Sequence, residues 1–240
     1  MNHHIVKSYE SELTLLDAKI GQMGGLAEQL LGAAFEALEQ RNPAKAEAAV
    51  ESDRLIDQLQ AELEEQVIVM IARRQPVAND LRQIMAVLKV IADLERIGDL
   101  AKNIAKRTIA IASENQPRTL LTGLRHMVEL ASRQLNDVLD AFASRDAGKA
   151  LKVWRDDENI DALYNSVFRE LLTYMMEDPR NIGLCTHLLF IAKNVERIGD
   201  HTTNIAETVS YLASGVLLPS GERPKGDKTS TTLISNPIKS

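Results

Sequence analysis

The sequence predicts an all-α protein, with six long helices forming two tandem, internally duplicated three-helix bundles. Three observations carry that expectation. Aromatic residues make up only 4% of the chain, while Ala, Leu, Glu, Ile and Gln are abundant, the balance expected of long helices. Helical periodicity is interrupted at only a few places, each marked by Asn, Asp, Gln, Gly or Pro. The pentapeptide ERIGD occurs twice, at Glu95 to Asp99 and at Glu196 to Asp200, and each copy runs on after three variable residues into Asn-Ile-Ala. The apolar share, 45% of 240 residues, is enough to fill a core.

The first helix, about 8–40, stops before Asn42-Pro43. There Asn is a helix N-cap and proline takes the first helical position, where a missing N–H costs nothing. The second helix runs over 43–74 to Gln75-Pro76, and the third over 78–112 to Asn115-Gln116-Pro117. The fourth, 118–144, ends ahead of Asp146-Ala147-Gly148, the fifth, 147–177, at Asp178-Pro179, and the sixth covers 181–213. From Leu218 onward, Pro219, Gly221, Pro224, Gly226 and Pro237 stand among Ser, Thr and Lys with no apolar period, so 215–240 reads as a flexible tail.

The two halves align. Residues 37–57 match 141–161 at an offset of 104, so that Arg41 falls on Arg145, Lys45 on Lys149, Asp53 on Asp157, Ile56 on Ile160 and Asp57 on Asp161. The ERIGD segments align at an offset of 101, so the connection before the last helix of the second half is three residues shorter. A repeat of this length suits two similar bundles, 8–114 and 115–214, and is too long for a solenoid unit.

Composition excludes several function classes. A single cysteine, Cys185, rules out an internal disulfide framework and multi-cysteine zinc sites, and it suits a reducing compartment. The N-terminal stretch is too polar for a signal peptide, and no segment approaches the roughly 18 apolar residues of a membrane span. The expectation is a cytoplasmic protein without membrane insertion. A net charge of −6 argues against a nucleic-acid surface.

A helix advances about 100° per residue, so steps of three and four trace one face. From Ile84 those steps visit Leu88, Ile91, Glu95, Gly98, Asp99, Lys102 and Asn103; Arg96 lies elsewhere with Lys89 and Asp93, on the expected solvent side. In the second half the same walk visits Cys185, Leu189, Ala192, Glu196, Gly199, Asp200, Thr203, Asn204 and Glu207. The carboxylates therefore continue apolar stripes. Like charges at i and i+4 repel, and an internal glycine costs roughly 1 kcal/mol relative to alanine, so local propensity selects neither. Both make sense if a cation neutralises the acids and the glycine admits a close neighbour. The second helix of each half supplies a further pair at the same spacing, Asp53 with Asp57 and Asp157 with Asp161.

For any one pair, surface ion pairing is the simpler reading: Arg96 is within reach of Asp93 or Asp99, and Arg197 of Asp200. The duplicated glycine, the apolar phase and the partner pair favour the cation site, most strongly for the two ERIGD segments. Carboxylate oxygens suit Mg, Mn or Fe, with Zn also admissible. His201 is turned by about 100° from Asp200 and has Leu100 as its counterpart, so it is not placed among the ligands. His3, His4, His126 and His187 follow no ligand spacing, and no nucleophile and base stand together as an enzyme requires.

The two ERIGD segments, the preceding Gln75-Pro76-Val77-Ala78-Asn79-Asp80-Leu81-Arg82 and the two-bundle duplication resemble the PhoU family, accessory regulators of phosphate-specific transport, over about residues 8–214. The resemblance implies metal sites in both bundles. Carried over residue by residue, the ligands are Glu95, Asp99, Asp53 and Asp57 in the first half and Glu196, Asp200, Asp157 and Asp161 in the second. It also implies a non-enzymatic adaptor that links a phosphate ABC transporter, through its ATPase subunit, to a sensor histidine kinase and restrains phosphate-starvation genes. The sequence departs from an even duplication where Asp80 aligns with Asn181 and Arg82 with Gly183. Val87, Val90, Leu94, Ile97 and Ala101 form a second apolar face beside the Ile84 stripe, and from it a homodimer or higher oligomer is expected. A metal-dependent helical enzyme and a purely structural interaction bundle are the alternatives.

Overall fold

The computed structural model describes residues 2–77, 79–114, 117–215 and Leu218, with backbone alone for 2–10 and Asn79. The segment expected to form a flexible tail lies almost wholly outside these residues. Helix α1 spans Asn2–Gln40, α2 Pro43–Ser52, α3 Arg54–Arg74, α4 Asn79–Ile111, α5 Leu120–Ser144, α6 Ala147–Glu177 and α7 Ile182–Ser214, with a 3-10 turn at Pro179–Asn181 before α7. Among the described residues there is no strand.

The expected punctuation acts as its chemistry dictates. The Asn42 side chain accepts a hydrogen bond from the Lys45 amide at 3.1 Å, with Pro43 opening α2. Asp146 accepts from the amides of Gly148 and Lys149 at 2.8 and 3.0 Å. Asp178 accepts from the Arg180 amide at 3.0 Å, which starts the 3-10 turn and delays the last helix to Ile182. Three helices end on left-handed residues that are not glycine: Arg41, Gln75 and Arg145, with φ of 50°, 46° and 53°. Arg145 gains compensating contacts, since its guanidinium meets both Asp17 oxygens at 3.0 and 2.9 Å and lies over the Phe142 ring.

Two differences from the sequence expectation have physical reasons. The first helix begins at Asn2, six residues before the expected start. The second is interrupted at Asp53, where the Ile56 amide bonds the Asp53 carbonyl at 2.9 Å in the tighter i to i+3 manner. Asp53 keeps helical angles, φ −57° and ψ −30°, so α2 and α3 are two segments of one long helix.

Helices α1, α2/α3 and α4 form one bundle and α5, α6 and α7 the other; α4 packs on α7 and α1 on α5, giving one continuous core. Helices α4 and α7 run antiparallel: Arg82 lies over Tyr211, Asp93 meets His201, and Arg107 lies over Phe190. The second apolar face of α4, Val87, Val90, Leu94, Ile97 and Ala101, is fully buried within this one chain. The surplus that suggested a second copy is therefore used up inside the molecule.

Within each bundle the ERIGD glycine sets the helix spacing. A β-carbon on Gly98 would stand 2.8 Å from Ile56 Cδ1 and 3.2 Å from Asp53 Oδ1, and one on Gly199 would stand 2.8 Å from Ile160 Cδ1. Both isoleucines are buried at 1% exposure and have no room to withdraw. Gly98→Ala should therefore lower stability by about 1–2 kcal/mol, overpacking outweighing the gain in helix propensity. In an Ile56→Val background, which removes Cδ1, the same change should be neutral or stabilising. Equal effects in the two backgrounds, measured by denaturant titration, would show that Ile56 does not set this contact.

Candidate acidic sites between the helix pairs

The close approach brings four acids together in each half. In the first, Asp53 at the α2/α3 junction is 3% exposed, beside Gly98, with Glu95 and Asp99 one turn apart on α4 and Asp57 on the exposed side of α3. Lys102 Nζ lies between them, 2.5 Å from Asp53 Oδ2 and 2.5 Å from Asp99 Oδ1. Arg96, 62% exposed, touches Glu95 and Asp99 from outside at 3.4 Å.

The titration of these groups follows from that geometry. Burial pushes the Glu95 carboxyl above the ordinary range, and the Asp99 charge adds to it. Burial also raises Asp53, overcoming the pull of its hydrogen bond from Lys102. At Asp99 burial works the same way but loses to the Lys102 hydrogen bond, and the group is held below the ordinary range. Burial opposes the Lys102 charge, yet its bonds to Asp53 and Asp99 hold the ammonium well above the usual lysine range.

In the second half, Asp157 is 3% exposed and lies beside Gly199, while the charges of Asp200 and Asp161 act on Glu196. Lys193 Nζ reaches Glu196 Oε1 at 2.6 Å from the surface, and Glu196 Oε2 is buried without a hydrogen-bond partner. Burial, chiefly, raises the Glu196 carboxyl. At the position of Lys102 stands Thr203, fully buried, whose hydroxyl donates to the Gly199 carbonyl of its own helix at 3.0 Å. Trp154 Nε1 donates to Glu207 Oε1 at 3.0 Å and ties α6 to α7 nearby.

Among the described residues, no three His, Cys, Asp or Glu side chains already converge about one point as metal ligands. Against a divalent ion the two clusters differ. The first already holds an ammonium between two of its acids and does not fit a further cation while Lys102 stays there. The second fits in donor chemistry: it has carboxylates from two helices and an orphaned buried oxygen at Glu196.

His201, not placed among the ligands on the sequence, is committed to the bundle interface, its Nδ1 2.9 Å from Asp93 Oδ1, and Asn204 donates to the same oxygen at 3.3 Å. Asp93, expected on the solvent side, has its side chain only 16% exposed, because α7 of the other bundle covers that part of α4. Sequence reasoning also missed a groove of about 710 Å³ between α4 and α7, lined by Leu81, Arg82, Met85, Lys89, Asp93 and Tyr211 among others.

A duplicated helical bundle with a paired-carboxylate cluster in each repeat is the class these features define. The family model described as "PhoU domain" matches it twice, over residues 20–108 and 124–209. The chain belongs to the PhoU family. It is 54% identical to a phosphate-specific transport system accessory protein PhoU homolog of Rhizobium meliloti (strain 1021), over 96% of this chain and 98% of that one. Its counterpart of the same description in Caulobacter vibrioides (strain NA1000 / CB15N) is 47% identical over 95% and 98%. The crystal structure of PhoU from Pseudomonas aeruginosa superposes with a TM-score of 0.83 at 38% identity, covering 87% of this chain and all of that one. The phosphate transport system regulatory protein PhoU from Streptococcus pneumoniae gives 0.81 at 29% identity, covering 88% and 99%.

Glu95 and Asp99 should respond oppositely to neutralisation in chelator. Glu95, raised in the fold, carries a destabilising charge above its folded pKa; Glu95→Gln should stabilise at neutral pH, and the gain should fade as pH falls through that value. Asp99, lowered in the fold, contributes stability above its unfolded pKa. Asp99→Asn should cost about 1–2 kcal/mol at pH 7, discounted for partial exposure, and progressively less as pH falls through the folded pKa. Melting curves of both variants at neutral and acidic pH check the signs; a stabilising Asp99→Asn at pH 7 would contradict them.

Proposed function

We propose that this protein is a regulatory adaptor of phosphate homeostasis that restrains phosphate uptake and phosphate-starvation signalling when phosphate is plentiful. Its partners in this reading are the ATPase subunit of a phosphate ABC transporter and a sensor histidine kinase, met in the cytoplasm. The observation that carries it is near full-length identity of 54% to a phosphate-specific transport system accessory protein. Two features support it. The bundle presents acidic clusters and an inter-helix groove of about 710 Å³, surfaces suited to binding. Among the described residues no helix is long and apolar enough to cross a membrane, so contact with a transporter would be made through a subunit's surface. Deletion of the gene should leave phosphate uptake or starvation-gene expression high in phosphate-rich medium, with complementation restoring repression. Normal repression in the deletion strain would refute the reading.

A metal ion, of Mg, Mn, Fe or Zn, is part of the same proposal. Asp157, Asp161, Glu196 and Asp200 would hold it, and it would supply positive charge between α6 and α7 where those acids now oppose one another. A cation that binds only the folded state stabilises by mass action, about 2.7 kcal/mol at a hundredfold excess over its dissociation constant. Chelator should lower the melting temperature of protein purified without one, and added Mn or Fe should restore it. A melting temperature indifferent to chelator and metal would refute the metal reading.

A further inference from the structure

We propose that the groove between α4 and α7 is the docking site for an acidic amphipathic helix of a protein partner. This rests on the adaptor reading above and gives the contact it needs a place and a chemistry. Helices α4 and α7 run antiparallel and occupy equivalent places in the two repeats, so an even duplication would give their seam two like ends. At one end Arg107 of α4 lies over the Phe190 ring of α7, 4.0 Å from its centre, and covers the seam. At the repeat offset of 101 those two positions become Thr208 and Lys89, a short side chain and a flexible one, and both line the groove at the other end. The seam closed at one end is therefore open at the other, with a volume of about 710 Å³.

The lining selects the occupant. Leu81 and Met85, one turn apart on α4, are 40% and 48% exposed and give the groove an apolar wall. From Leu81 to Asp93 it follows α4 for about 18 Å, the length of roughly three helical turns. The acids of the lining are engaged inside the molecule: Asp93 accepts from Asn204 at 3.3 Å and meets His201 Nδ1 at 2.9 Å, and Glu207 accepts from Trp154 at 3.0 Å. The cations are not. Lys89 is exposed and Arg82 lies over the Tyr211 ring, and among the described residues neither makes an ion pair. The charge offered to a partner is thus positive, in a protein whose net charge is −6. A helix with an apolar stripe flanked by Asp or Glu meets both demands. The chain's own residues 219–240 carry Arg223, Lys225, Lys228 and Lys239 against Glu222 and Asp227, the wrong sign for this groove.

Two fluorescent helical peptides of about twelve residues, each with a Leu stripe, one flanked by Glu and the other by Lys, are titrated into the full chain, with melting curves to verify that each variant folds. The Glu peptide should bind roughly tenfold tighter than the Lys peptide, or better. Met85→Asp should abolish its binding, and Lys89→Glu with Arg82→Glu should reverse the preference. Lys89→Phe with Thr208→Arg, which copies the closed end of the seam, should remove binding of both. In cells, photoreactive benzoylphenylalanine in place of Met85 should cross-link a partner segment whose acids flank an apolar stripe, and Met85→Asp should relieve repression in phosphate-rich medium. The docking site is overturned if neither peptide binds or both bind alike, or if a folded Met85→Asp or closed-end variant behaves as wild type. It is equally overturned if the cross-link falls on a second copy of this chain or on residues 219–240. Normal repression in the deletion strain overturns the adaptor reading itself, and the peptide preference then still judges the groove.

Discussion

The fold depends on two missing β-carbons. At Gly98 and Gly199 the last helix of each bundle approaches its neighbour until Ile56 and Ile160 fill the space that a side chain would occupy. That contact fixes both the apolar packing beneath and the polar arrangement above, because Asp53 and Asp157 stand one turn before those isoleucines. A helix pays roughly 1 kcal/mol for an internal glycine, and the return is proximity of carboxylates from two elements. The acids follow from the packing, and the need for a counter-charge follows from the acids.

How that need is met gives the two halves separate characters. In the first, Lys102 joins Asp99 of α4 to Asp53 at the α2/α3 junction. In the second, an outer lysine satisfies one oxygen and leaves another buried without a partner. The bundles share one core through α4 against α7 and α1 against α5.

Much of this was legible in the sequence. Asn42, Asp146 and Asp178 cap helices as their chemistry requires, and the duplication and the stripe carrying Glu95, Asp99, Glu196 and Asp200 are plain in the letters. The interruption at Asp53 was not, because no Gly or Pro marks it. An apolar face does not declare which neighbour will cover it, so the second face of α4 suggested another copy where the structure buries it within the chain. Asp93 was misplaced on the solvent side for the same reason. Lys102 was within reach: the stripe itself passes through Lys102 in one half and Thr203 in the other, and that substitution between repeats is a signal in sequence alone. What it lacked was the distance to Asp53, which the glycine contact supplies.

Whether the second cluster holds a metal ion can be tested directly. Crystals of the protein equilibrated with Mn²⁺, measured at a wavelength where manganese scatters anomalously, should give a peak between α6 and α7 at Asp157, Asp161, Glu196 and Asp200. They should give none beside Lys102, with its ammonium still between Asp53 and Asp99. Peaks of equal height in both halves, or a peak in the first half with Lys102 swung out to solvent, would contradict the account.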